Sequence, residues 1–111
     1  MTVTVHHKNL SGSRWQTLSL SEQMSNIGSE LYRAIRWRSS DQSSFQRAFE
    51  RMLELMDLTI ADPRWHRGRR ELTRVREVLC DYLHGDNEYK SNAQSLQQYF
   101  DQFAFAARKN R

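Results

Sequence analysis

With 111 residues, 38% apolar and 27% charged, and a mean hydropathy of −0.85, the chain amounts to one small domain. No window approaches the roughly 18 consecutive apolar residues of a membrane span. One Cys excludes an internal disulfide or a Cys-rich zinc module, and four Gly with one Pro exclude collagen-like and Gly/Pro low-complexity classes.

Seventeen Lys and Arg against thirteen Asp and Glu give a net charge of +4, which suits an anionic partner such as nucleic acid. The charge alternates along the chain: +3 over residues 1–40, −3 over 41–63, +3 over 64–84 and +1 over 85–111. Neighbouring antiparallel elements attract one another under such a pattern, and so do subunits of a homo-oligomer. Only Lys8, Lys90 and Lys109 are Lys. The excess of Arg favours bidentate and stacked contacts.

Residues 1–18 are polar and read as a flexible arm, with Val3 and Val5 able to add a short strand to another surface. The arm shows no targeting signal, so the expected location is cytoplasmic. A first helix opens at Ser19, where Ser19 and Glu22 form a capping box. Leu20, Met24, Ile27, Leu31, Ala34 and Ile35 follow at helical spacing. Gly28 interrupts that stripe at a cost of about 1 kcal/mol against Ala, which points to close approach by another helix.

Ser39-Ser40-Asp41 offers caps for a second helix. Its wide stripe of Phe45, Ala48, Phe49, Met52, Leu53, Leu55, Met56 and Ile60 makes it central. It must stop before Asp62-Pro63, since the residue before Pro avoids the helical region. Residues 64–71 form a basic linker into a third helix, whose inner face is Leu72, Val75, Val78, Leu79, Tyr82 and Leu83. Gly85 stands where a left-handed residue ends many helices. Ser91 and Gln94 suggest a second capping box. The fourth helix carries Ala93, Leu96, Tyr99, Phe100, Phe103, Ala104 and Ala107. The fold class is therefore all-α: an antiparallel four-helix bundle over residues 19–111 behind an arm over 1–18.

Catalytic and metal chemistry find little footing. His6, His7, His66 and His84 show no i, i+4 pairing, and Glu-x-x-His is absent, so neither a metal nor a cofactor is expected. Cys80 flanks an inner face without a His base and reads as a packing thiol. Glu50, Glu54 and Asp57 stand at i, i+4, i+7 and, with Arg47 and Arg51 one turn before, read as a solvated ion-pair ladder.

The strongest local signal is basic and aromatic: Arg64, Trp65, Arg67, Arg69, Arg70, Arg74 and Arg76 within thirteen residues. Arg forks onto phosphates and Trp65 offers a face to a base. Arg33, Arg36, Trp37 and Arg38 make a second cluster of the same kind. In size and helicity the chain resembles the HEPN ribonucleases, which act through Arg-x(4–6)-His. Here seven residues separate Arg76 from His84, one too many.

From Ser19 to Arg108 the chain resembles a family of small bacterial proteins of uncharacterised function. The residues that carry this are Leu20-Ser21-Glu22-Gln23, Asn26-Ile27-Gly28-Ser29-Glu30, Leu55-Met56-Asp57-Leu58-Thr59-Ile60, Arg76-Glu77-Val78-Leu79, Gly85-Asp86-Asn87-Glu88-Tyr89 and Tyr99-Phe100. That resemblance implies no activity. In architecture and charge alone the chain is similar to the basic four-helix-bundle accessory proteins of diversity-generating retroelements and to ribosomal intervening-sequence proteins. This likeness implies oligomerisation and RNA binding. The expected function is thus a non-catalytic accessory or adaptor protein that binds RNA, or an enzyme that processes nucleic acid, through the two clusters. The alternatives are a HEPN-like toxin–antitoxin or defence protein and a purely structural homo-oligomer.

Overall fold

The computed structural model of the chain describes residues 12–109. Four long helices form an all-α bundle, and no strand occurs among the described residues. A one-turn helix α1 (Gly12–Trp15) precedes α2 (Leu20–Trp37). Next come α3 (Gln42–Ala61), a 3-10 segment (Pro63–Gly68), α4 (Arg69–Leu83) and α5 (Ala93–Lys109).

Local chemistry sets the helix ends. The Ser19 hydroxyl accepts from the Glu22 N–H while the Ser19 N–H donates to the Glu22 carboxylate, which is the expected capping box. Asp41 caps α3 by accepting from the Ser44 N–H, and that bond holds its carboxyl below the usual range. Helix α5 starts one residue later than its sequence suggests. Ser91 is taken by Asn87, whose side chain both accepts from the Ser91 N–H and donates to the Ser91 carbonyl. Asn92 therefore becomes the cap and accepts from the Ser95 N–H at 2.8 Å.

Gly85 is not left-handed. The positive φ values of the α4–α5 loop belong to Asn87 and Lys90. Gly85 is needed there for space: a Cβ would lie 3.0 Å from the Asp81 backbone. The Asp81 carboxylate holds the loop by accepting from the N–H groups of Glu88 and Tyr89.

Helices α2 and α3 pack along their length as an antiparallel hairpin, α5 packs on α2, and α4 packs on α3. Gly28 does what its position implies, since a Cβ on it would come within 2.8 Å of the Phe100 Cβ. Helices α4 and α5 have no comparable contact with each other, so the bundle stays open between them.

The described part of the expected arm, from Gly12 onward, is not an arm. Trp15 is fully buried in the core and its indole N–H donates to the Thr59 hydroxyl at 3.0 Å. No periodicity announces one buried Trp in a polar stretch; a large apolar ring with a polar handle is the only cue. The proposed strand at Val3 and Val5, and His6-His7, lie outside the described residues. The helix α2 stripe also carries two buried polar groups, Gln23 and Glu30.

Candidate nucleic-acid interface

The structure divides the first basic cluster into residues that hold the fold and residues that face outward. Arg64 belongs to the fold. Its guanidinium grips the fully buried Asp62 carboxylate, 2.7 Å at the shortest, and also donates to the Leu18 carbonyl at 2.7 Å. Asp62 further accepts from the Gln23 amide, whose oxygen accepts from the Trp65 indole N–H at 2.8 Å. The Gln23 amide also donates to the Trp15 carbonyl. One polar node thus ties the Trp15 turn, α2, the end of α3 and the 3-10 segment together. The hydrogen bonds from Arg64 outweigh desolvation and lower the Asp62 carboxyl to about 2.

Two further Arg residues cap neighbouring helices. Neither α3 nor α4 has a basic residue in its last turn. Arg69 from α4 donates through Nε to the Ile60 carbonyl at the end of α3. Arg38, from the end of α2, donates to the Tyr82 carbonyl at the end of α4 and lies over the Tyr82 ring. A cation is favourable at both places because the carbonyl ends of a helix are left unpaired and partially negative.

Arg76 pairs with Asp57 across α3 and α4 at 2.7 Å. Asp57 thereby joins a bridge between helices rather than the expected ladder along α3. Cys80 lies 3.9 Å from Arg76, yet burial pushes its thiol up, as befits a packing thiol. The His84 ring packs at a tilt against Phe49 and Phe45, with ring centres 4.5 and 5.5 Å apart. Arg76 and His84 also stand eight positions apart, about 12 Å along the axis of α4.

The remaining cluster residues, Arg67, Arg70 and Arg74, face outward. Arg70 and Arg74 line one shallow depression of about 280 Å³ together with Arg69, Thr73 and Glu77. The Arg74 guanidinium lies 5.8 Å from the centre of the Tyr89 ring. Among the described residues, the side chains of Arg67 and Arg70 have no hydrogen-bond, ion-pair or ring partner. No side chain caps α4 at Gly68, and a Cβ there would meet nothing within 4 Å.

The second cluster does not join the first. Arg33 pairs with the buried Glu30, and Arg36 lies over the Trp37 ring. Arg38 reaches the Tyr82 end of α4, thirteen residues and about 20 Å from Arg69 along the helix.

On the other side of the α4 N-terminus lies a larger pocket of about 500 Å³. Trp65, Leu72, Tyr99 and Phe103 wall it, and Arg67 and Glu71 add charge. Tyr99 and Phe103 lie on the apolar stripe expected of the fourth helix and pack against the core, and the stripe itself does not announce this pocket. A Tyr on a core stripe is the available signal, because its hydroxyl needs a partner that a Phe would not.

Among the described residues no three His, Cys, Asp or Glu side chains converge as metal ligands, and no helix is long and apolar enough to cross a membrane. No protein-family model, curated protein or solved structure matches the chain.

Proposed function

We propose that this chain is a non-catalytic helical accessory module that binds RNA through its phosphates at Arg67, Arg69, Arg70 and Arg74. One observation carries the reading. Arg69, Arg70 and Arg74 line one depression, Arg67 lines the pocket across the α4 N-terminus from it, and the Arg67 and Arg70 side chains are committed to nothing within the described fold. Arg side chains left in water and spread around one helix N-terminus match the spaced charges of a nucleic-acid backbone. Arg64, Arg38 and Arg76, in contrast, are engaged in holding helices together. The proposal places the chain beside the basic four-helix accessory proteins it resembles, as a cytoplasmic protein that assembles with itself or with a protein partner.

The test is fluorescence anisotropy with single-stranded RNA at about 50 and 200 mM salt, where phosphate-driven binding falls steeply. The comparison variant is Arg67→Ala/Arg70→Ala/Arg74→Ala, which leaves every interhelical Arg contact intact. Salt-sensitive binding lost in this variant is the expected result. Absence of binding by the unmodified protein at the lower salt overturns the proposal.

A further inference from the structure

The bundle is open where α4 and α5 fail to meet, and the 500 Å³ pocket occupies that opening. Its volume falls within the range of ligand pockets. Three of its walls are aromatic: Trp65, Tyr99 and Phe103. The Tyr99 hydroxyl is buried without a hydrogen-bond partner among the described residues. Burial first, and then the charge of Glu71, push the Tyr99 phenol up, so it stays a neutral donor. Glu71, itself exposed, lines the same pocket and supplies an acceptor.

We propose that this pocket takes one unstacked nucleobase bearing an exocyclic amino group, from an RNA strand whose phosphates run over Arg67 and Arg70. The inference rests on the RNA-binding reading above and gives it a base preference. Aromatic walls accept any base face, and single-stranded RNA is commonly read by splaying a base onto such walls and bonding its edge. The Glu71 carboxylate accepts from the amino group of adenine, cytosine or guanine; uracil offers only its ring N3–H, flanked by two carbonyl oxygens that a carboxylate repels. The Tyr99 hydroxyl, buried at the pocket wall without a partner among the described residues, gains one when the base edge reaches it. Arg67 lines the pocket, Arg70 lines the depression, and at Gly68, between them in sequence, a Cβ would meet nothing within 4 Å. An apolar side chain of a protein partner fits less well, because it would leave the Tyr99 hydroxyl unpaired and lie against a carboxylate.

The test compares 12-nucleotide oligo(A) with oligo(U) by anisotropy, for the unmodified chain, Tyr99→Phe and Glu71→Ala, with folding verified by circular dichroism. The ratio of the two affinities is the readout, since any charge effect of the Glu71 change acts on both strands. We expect oligo(A) to bind about three- to tenfold tighter, the worth of one or two hydrogen bonds, with the ratio falling toward one in each variant. Equal binding of both strands by the unmodified chain overturns the base pocket while leaving the phosphate surface standing. A preference that survives both substitutions also overturns it. Failure of both strands to bind at low salt overturns this inference and the RNA-binding reading together.

Discussion

Arg64 and Asp62 are two residues apart, yet their ion pair joins distant parts of the chain: the same guanidinium that holds the Asp62 carboxylate also donates to the Leu18 carbonyl. Asp62 in turn bonds the Gln23 amide. A cluster that reads as a binding surface therefore contains the principal polar clasp of the fold.

The clasp predicts an acid transition. The Asp62 carboxyl is lowered from 3.8 to about 2, so it stabilises the folded chain fully above the unfolded value. That contribution, about 2 kcal/mol, is lost as pH falls from about 4 toward 2. Urea unfolding at pH 6, 4, 3 and 2 checks this. Asp62→Asn should be less stable at pH 6 and show a flatter profile over the acid range.

Trp15 tests whether the first described turn is part of the core. Trp15→Ala removes a fully buried indole and its bond to Thr59, so the loss should be about 3–5 kcal/mol. Trp15→Phe keeps most of the volume and should cost about 1–2 kcal/mol, mainly through the lost hydrogen bond. A shift below 0.5 kcal/mol for Trp15→Ala would show that this turn does not seat in the core.

Gly28→Ala sets two effects against each other. The helix gains about 1 kcal/mol from propensity, while overpacking costs about 1–3 kcal/mol. The obstacle is the Phe100 Cβ at 2.8 Å, an atom fixed to backbone rather than the end of a flexible side chain. Overpacking should win, giving net destabilisation of about 1–2 kcal/mol. Gly28→Ala paired with Phe100→Leu should not restore it, because Leu keeps the same Cβ.

Arg64→Ala and Arg70→Ala should separate stability from binding. Arg64→Ala leaves a buried carboxylate without its main partner and should cost about 3 kcal/mol or more in thermal or urea unfolding. Arg70→Ala removes an exposed side chain with no partner among the described residues and should stay within about 0.5 kcal/mol. In RNA binding the second change should lower the log–log salt slope by about 0.7, one phosphate contact on a single strand.

Much of the architecture was legible in the chain itself. Apolar residues at helical spacing, the Ser19 and Asp41 caps and the stop at Asp62-Pro63 depend on contacts between near neighbours, and each stands where the sequence places it. Gly28 also announced a close approach, because a glycine inside an apolar stripe has few other uses. What the residues alone determined is therefore an all-α bundle of four helices and a surplus of Arg near the start of α4.

The division of labour among those Arg residues came only with the tertiary structure. Arg64, Arg69, Arg70 and Arg76 look alike in one dimension. Which guanidinium finds a buried carboxylate, the last carbonyl of a neighbouring helix, or only water depends on what α2 and α3 present to it. Arg38 and Arg69 cap helices that lack cations in their own last turns, and no spacing rule within α2 or α4 reveals that. The pocket has the same origin. Tyr99 and Phe103 lie on a stripe that would be buried if α4 closed on α5, and they line an open cleft because α4 packs on α3 instead. Helical periodicity states which face of a helix is apolar; only the packing of the other helices decides whether that face is covered.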